Sequence, residues 1–437
     1  MNCDNLSFIK RSHQAVWHPC TQMKAQESLP PLAVSRGEGI WLYDYEGKRY
    51  LDAISSWWVN LFGHCHPFIN AALTAQLNTL EHAMLAGLTH EPVIRLSERL
   101  SEKTGGSLGH CFYGSDGSSA TEIALKMSVH YWQNRGRPGK TRFISLEKGY
   151  HGETIGALSV TDVPMFRQAY SSMLRPNLIV QSPDSRLAQS GETAQGPVQR
   201  ALLDLEKTLK KHHDSVAAFI VEPLVQGAAG MGMYPAEYLK AAGELCRQFR
   251  VHFIADEIAV GFGRTGTFFA CEQAGVIPDL LCLSKGITGG YLPLSVVLSS
   301  DDIFSAFYDV RLNKGFLHSH SYTGNALACA AANAVLDLFE QAAVLQDNQI
   351  KAARMNELCI PIKDHPDVRH FRHMGMIWAF EVKSDRPGFS DWFHEQAKQK
   401  ELLIRPIGHS VYFMPPYIIN EEDMHHLVNG VMEILAL

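Results

Sequence analysis

The run Leu280-Leu281-Cys282-Leu283-Ser284-Lys285-Gly286-Ile287-Thr288-Gly289-Gly290 sets a lysine at the end of a short apolar stretch and directly before a glycine-rich turn. A continuous apolar run of this length predicts a strand buried on both faces, as in a mostly parallel sheet. Working back along the chain, Val251-His252-Phe253-Ile254-Ala255 has the same character and ends at Asp256. Ala217-Ala218-Phe219-Ile220-Val221 ends at Glu222-Pro223, and Arg142-Phe143-Ile144-Ser145-Leu146 is a fourth. Amphipathic stretches from Leu202 to His212 and from Pro235 to Arg250 lie between them and predict helices. Alternating strands and helices predict an α/β sheet covered by helices. In such sheets ligands bind beyond the carboxyl ends of the strands, where this pattern places both Asp256 and Lys285. The two are 285 − 256 = 29 residues apart, enough for one crossover.

Outward from this centre the character changes. Trp41–Asp44 and Lys48–Asp52 flank Glu46-Gly47 and predict a β-hairpin with glycine at its turn. Beyond about residue 334 a helical stretch leads to Met376–Val382, a helix around Asp391–Lys400, then Leu402–Arg405 and Val411–Met414, the pattern of a smaller α+β domain. The expected division is an N-terminal segment 1–55 joining the small domain, a large cofactor-binding domain 56–333 and a small domain 334–437. Length agrees, since single cores rarely grow past about 250–300 residues. Of the 437 residues 46% are hydrophobic and 19% charged, and the net charge is −6, so no basic footprint for nucleic acid or anionic membrane exists. Leu327–Leu345 is Ala-rich but interrupted by Asn333, Asp337 and Glu340, and predicts a packed helix rather than a membrane span. Met1–Gln14 is polar, without the apolar core of a secretory signal. Nine scattered cysteines without a CxxC pair predict reduced thiols, and with them a cytoplasmic protein.

Several polar residues stand where chemistry could use them. A buried lysine has a lowered pKa and becomes a nucleophile, although a lysine can also snorkel from a sheet edge. Asp256 could hold a cation or simply cap the next helix. Gly114-Ser115-Asp116-Gly117-Ser118-Ser119-Ala120-Thr121-Glu122 opens a helix whose Ala120, Ala124, Met127 and Tyr131 form one stripe. Its exposed N–H groups suit a phosphate, although a plain Gly/Ser cap has the same composition. Tyr150, in Gly149-Tyr150-His151-Gly152, could lie on an aromatic ring or belong to the core. His64-Cys65-His66 and His318-Ser319-His320 have no matching distant ligand pair, so no metal site is expected. GxSxG and GxGxxG motifs are missing at the places a hydrolase or a dinucleotide enzyme would need them.

Taken in order, the Gly117-Ser118 loop, Tyr150-His151-Gly152, Glu222-Pro223, Asp256-Glu257 with Gly261-Phe262-Gly263-Arg264-Thr265-Gly266, Ser284-Lys285-Gly286 and Thr323-Gly324-Asn325 resemble the class-III (subgroup II) aminotransferases. The resemblance runs from about Trp17 to the C-terminal helix. It implies the pyridoxal-5'-phosphate (PLP) transferase fold type I and a PLP cofactor. Trp17-His18-Pro19, Ser55-Ser56-Trp57-Trp58, Tyr150-His151-Gly152-Glu153 and Met414-Pro415-Pro416-Tyr417 are similar to the branch of that family that aminates 8-amino-7-oxononanoate in biotin biosynthesis, with S-adenosylmethionine as amino donor. The resemblance implies catalytic roles for Lys285, Asp256 and Tyr150, and phosphate binding by Gly117 and Ser118. It also implies a homodimer with shared active sites, in which His320 and Ser321 complete the partner's phosphate site. Trp57, Trp58, Tyr150, Ser319, Arg405 and Cys20 are the implied substrate contacts. Three positions depart from the branch: Cys20 stands where it has a tyrosine, Ser319-His320-Ser321 replaces Gly-Pro-Thr, and Glu153 replaces an aspartate. The first leaves the donor open. The alternatives are another class-III enzyme acting on an ω-amino acid or diamine, and a non-enzymatic PLP-binding protein.

Overall fold

The four apolar runs are strands of one sheet in the computed structural model, which describes residues 4–437. In chain order the sheet contains β1 (His110–Gly114), β2 (Arg142–Leu146), β3 (Leu178–Val180), β4 (Val216–Val221), β5 (His252–Asp256), β6 (Leu280–Leu283) and β7 (Ser295–Ser299). Their spatial order is β1-β7-β6-β5-β4-β2-β3. Neighbours are parallel except where β7 runs against β6 and β1. The chain therefore has the expected α/β architecture, a mostly parallel sheet flanked by helices. Strands β1, β3 and β7 are absent from the sequence expectation, because each has only a two- or three-residue apolar centre between polar neighbours. Every residue of β4 to β7 is buried, which is why these runs lack the alternation of a half-exposed strand.

Register places the chemistry. Asp256, the last residue of β5, pairs with Cys282 of β6, so Lys285 emerges just past Asp256 on the adjacent strand. The Gly117–Asn134 helix begins with Asp116 as its cap, and its Ala120, Ala124, Met127 and Tyr131 stripe is buried against the sheet. The helix expected over 202–212 begins earlier, at Gln195, because Pro197 is compatible with a first turn. The 236–249 helix ends on Arg250 in the left-handed region, φ 53°. The Ala-rich stretch is the buried helix Ala326–Gln341, and a second helix, Val344–Leu358, follows after a 73° bend. Among the described residues no single helix is long and apolar enough to cross a membrane.

The N-terminal hairpin is present, Trp41–Asp44 against Arg49–Asp52, with Gly47 at φ +88° in its turn. An outer strand, Val34–Glu38, completes it on one side. On the other side Leu402 and Leu403 pair in parallel with Leu51 and Asp52. A second small sheet holds Val368–Met374, Ile377–Val382 and Ser410–Phe413. The first of these was not expected because its Arg and His residues give it a polar, unalternating pattern. The eight described cysteines are all unpaired; Cys3 lies outside the described residues.

Candidate active site

Lys285 follows β6 in an unusual backbone state. Its φ is 48°, and the Lys285–Thr288 turn after it closes on Gly289 at φ 63°. A left-handed non-glycine residue costs about 1–2 kcal/mol, and such strain collects at functional sites. The turn aims the side chain back across the sheet end, where Nζ lies 4.2 Å from the centroid of the Trp58 ring. Burial lowers the Lys285 pKa to about 8; Arg264 adds to the shift, and Asp256 and Glu222 oppose it. An amine so placed has a usable neutral fraction near neutral pH.

Asp256 is buried. Its Oδ2 lies 2.7 Å from His151 Nδ1, and its Oδ1 accepts the Ile258 N–H at 3.2 Å. His151 is held in turn: its N–H donates to Thr161 Oγ1 at 3.0 Å and its carbonyl accepts from Thr121 Oγ1 at 2.8 Å. The carboxylate is thereby oriented from behind, with its position set by both the strand and the neighbouring helix.

Gly117 and Ser118 open the Gly117–Asn134 helix, and their N–H groups have no partner among the described residues. A Cβ on Gly117 would lie 2.8 Å from Ile258 Cγ2, so only glycine brings this helix start so close to the end of β5. Ser118 Oγ lies 2.8 Å from Thr154 Oγ1 and accepts the Thr154 N–H at 3.1 Å. Gly152, at φ +116°, packs its backbone on Ser118. Free N–H groups at a helix start form an anion site. An amine, a buried carboxylate two residues from Ile258, and an anion cradle on the same Ile258 match the aldehyde, ring nitrogen and phosphate of PLP, so the residues present fit this cofactor.

The outer part of the site is built on a left-handed turn. Ser55, Ser56, Trp57 and Trp58 all have positive φ, at 51°, 46°, 71° and 73°. Buried Asp52 holds the turn: it accepts the Ser56 N–H at 2.9 Å and hydroxyl at 2.6 Å, and meets His64 Nε2 at 3.1 Å. Ser55 Oγ donates to Met414 O at 2.6 Å. The turn buries Trp58, whose Nε1 donates to Tyr412 Oη at 3.1 Å, and leaves Trp57 45% exposed. The Arg405 guanidinium lies 5.1 Å from the Trp57 ring centroid and donates to Cys20 O at 3.2 Å. Tyr150 Oη donates to Glu153 Oε1 at 2.9 Å; burial and that carboxylate push its pKa up. Burial and Glu153 also push the Cys20 thiol up, against Arg405.

The fold thus brings Trp58 against Lys285 next to Asp256, and links Arg405 to Trp57 and Cys20, with Cys20 near Tyr150 and Glu153. Of Ser319, His320 and Ser321, only His320 comes near the Gly117–Ser118 loop. His320 Nδ1 is 3.4 Å from Ser115 Oγ, Ser321 O accepts from His82 Nε2 at 2.9 Å, and Ser319 is exposed. His64 pairs with Asp52, and no group of three metal-ligating side chains occurs among the described residues. Sequence reasoning quoted His151, Glu222 and Arg264 within motifs without giving them a role and gave none to Tyr412, and the fold sets all four beside Asp256, Lys285 and Trp58. For Glu222 the signal existed: it ends an apolar strand as Asp256 does. Arg264 is almost wholly buried and donates to Asn60 O at 2.8 Å and Pro415 O at 2.9 Å, partners that only the folded chain supplies.

Comparison with known proteins agrees with this geometry. The family model described as aminotransferase class-III matches residues 22–435. The adenosylmethionine-8-amino-7-oxononanoate aminotransferase of Helicobacter pylori is 45% identical over 99% of this chain and 98% of its own length. The crystal structure of the enzyme of that name from Methanocaldococcus jannaschii superimposes with a TM-score of 0.92, at 35% identity over 99% of both chains. A PLP-bound amine transaminase from an uncultivated Pseudomonas species superimposes with a TM-score of 0.91, at 31% identity over 97% of this chain and 98% of that one. The chain belongs to the class-III aminotransferases, and it is a PLP-dependent transaminase of small-molecule substrates.

Proposed function

We propose that this enzyme transfers an amino group to the ketone of 8-amino-7-oxononanoate, forming 7,8-diaminononanoate in biotin biosynthesis, with S-adenosylmethionine as donor. The observation that carries the proposal is the pairing of an aromatic wall beside Lys285 with a guanidinium at the outer end of the same wall: Trp58 faces the amine and Arg405 faces Trp57. An acceptor with a ketone, an aliphatic chain and a terminal carboxylate matches that order, since aromatic rings bury the chain and an arginine fork binds the carboxylate.

PLP, when bound, supplies an electron sink for the substrate carbon that exchanges its proton. Lys285 would hold the cofactor through its amine and would carry the proton to and from that carbon. Asp256, steadied by His151, would pair with the ring nitrogen, and the Gly117 and Ser118 N–H groups would receive the phosphate. Tyr150 would stack on the ring and touch substrate, and Cys20 would line the donor's end of the pocket. Ser319 faces substrate, and His320 and Ser321 complete the phosphate site, across a homodimer. The exposure of Leu317 and Tyr322 on either side of that loop supports a covered interface. The same reading divides the chain at residues 55/56 and 333/334, supported by the pairing of Leu402 with Leu51, and places the protein in the cytoplasm.

The test is the half-reaction. The PLP form is mixed separately with 7,8-diaminononanoate, S-adenosylmethionine, lysine, ornithine and 4-aminobutyrate while the absorbance of the lysine-bound cofactor is followed. Loss of that absorbance with 7,8-diaminononanoate, with ornithine and 4-aminobutyrate inert, is expected, and the S-adenosylmethionine and lysine traces identify the donor. A response to ω-amines alone would leave the transaminase and remove this substrate. That second possibility draws on the amine transaminase of TM-score 0.91.

A further inference from the structure

Glu222 is a buried carboxyl group to which the reaction above assigns no part. It directly follows β4, and burial pushes its pKa up to about 7 against the pull of His151 and two backbone N–H groups. A carboxyl group is costly to remove from water unless its oxygens find donors. Here the two oxygens go to two different segments. Oε1 accepts the N–H of Tyr150 at 2.9 Å, and Oε2 accepts the N–H of Gly227 at 2.9 Å.

Those segments carry separate parts of the site. Tyr150 is one. Gly227 lies flat against the other: a Cβ there would stand 2.9 Å from Trp58 Cη2 and 3.0 Å from Cζ3, and Trp58 is the ring that faces Lys285. The loop behind Gly227 is clamped from the far side. Arg186 donates to Ala229 O at 2.8 Å and is ion-paired with Asp184 and Glu381. Arg372 donates to Met231 O at 2.7 Å and also to Gly230 O. The loop is therefore held firmly, and Glu222 is the point at which it is keyed to Tyr150.

We infer that Glu222 is a positioning residue whose single carboxyl group sets Tyr150 and the Gly227–Trp58 contact about the Lys285 amine. The charged groups facing that amine are Asp256, Glu222 and Arg264; those facing Glu222 are His151 and Asp256. Asp256 and Glu222 both pull the Lys285 amine toward its charged form, and Arg264 pulls the other way. The inference rests on the transaminase reaction with PLP on Lys285, and on no particular donor.

Glu222→Gln keeps size, removes charge and turns an N–H2 toward one of the two amide donors. Gly227→Ala keeps Glu222 and displaces Trp58. Both variants and the wild type, loaded with PLP, are titrated through the neutral and alkaline range while the absorbance of the lysine-bound cofactor is followed, and KM and kcat are measured. For Glu222→Gln the midpoint is expected to fall by about one unit and KM to rise about tenfold. Gly227→Ala should raise KM with Glu222 still in place. A Glu222→Gln enzyme with the wild-type midpoint and KM, whatever its melting temperature, would overturn the inference and leave Glu222 a packing residue. Should the Gln variant fail to fold, Glu222→Asp keeps the charge and loses the reach: raised KM at the wild-type midpoint supports the inference, and an unchanged KM overturns it. A wild-type chain lacking the lysine-bound absorbance would strike at the transaminase reaction itself, which separates the two failures.

Discussion

At the scale of the residue, Lys285 illustrates how function opposes stability. Its amine is held where burial and Arg264 disfavour charge, and its backbone is in the left-handed region. Replacement by Ala should lower transamination at least about a thousandfold, the loss of a positioned proton carrier, while Asp256 and the Gly117–Ser118 cradle still retain PLP. Steady-state rates and cofactor retention on gel filtration check both parts. The cofactor-free chain makes the complementary prediction. A basic group whose pKa falls from 10.5 to about 8 on folding costs stability at every pH below about 8, and the cost fades as pH rises toward the unfolded value. Cofactor-free Lys285→Met should therefore be more stable than wild type near pH 7, by about 2 kcal/mol after allowing for partial exposure, with the gap closing in alkaline buffer. Thermal melts at the two pH values decide it.

At the scale of the element, the site depends on two helix or turn beginnings that the backbone tolerates only under restraint. The start of the Gly117–Asn134 helix packs on Ile258, and Gly117→Ala would force the two apart from 2.8 Å. Its expected consequence is PLP affinity weaker by about tenfold or more, read by equilibrium dialysis, with the helix itself intact, since alanine favours helix more than glycine does. The Ser55–Trp58 turn is the second. Four successive left-handed residues persist because Asp52 binds Ser56 twice and Ser55 binds Met414. Asp52→Ala removes about 1–2 kcal/mol of hydrogen bonding from the turn, so Trp57 and Trp58 should reorient and KM for the acceptor should rise about tenfold. Tryptophan fluorescence and KM should change together; a change in neither would show that the turn holds its shape without Asp52.

At the scale of the whole molecule, the two ends of the sheet behave differently. The carboxyl ends carry the site, and the opposite end buries His252, whose Nδ1 is 2.8 Å from Ser128 Oγ and whose ring stacks 4.6 Å from Trp132. Burial there lowers the His252 pKa to about 3. A base depressed in this way contributes stability that is fully present above its unfolded pKa of about 6.5 and lost as pH falls from there toward 3. The stability difference between wild type and His252→Gln should thus shrink steadily as pH is lowered below 6.5, in denaturant titrations at several pH values.

The sequence by itself determined the strands β2, β4, β5 and β6, the helices between them and the placement of Asp256 and Lys285 at adjacent strand ends. These are consequences of local apolar runs and their punctuation, which are written along the chain. It also carried the family through an ordered set of motifs, and with it Tyr150, Trp57, Trp58, Arg405 and Cys20, whose gathering composition alone does not foretell. Tertiary structure decided the rest. His151 became the support of Asp256, Glu222 a bridge between Tyr150 and Gly227, and Arg264 a buried guanidinium tied to Asn60 and Pro415. Each of these roles is a hydrogen bond or a charge interaction between residues far apart in sequence, and such interactions exist only once the intervening chain has brought donor and acceptor out of water together.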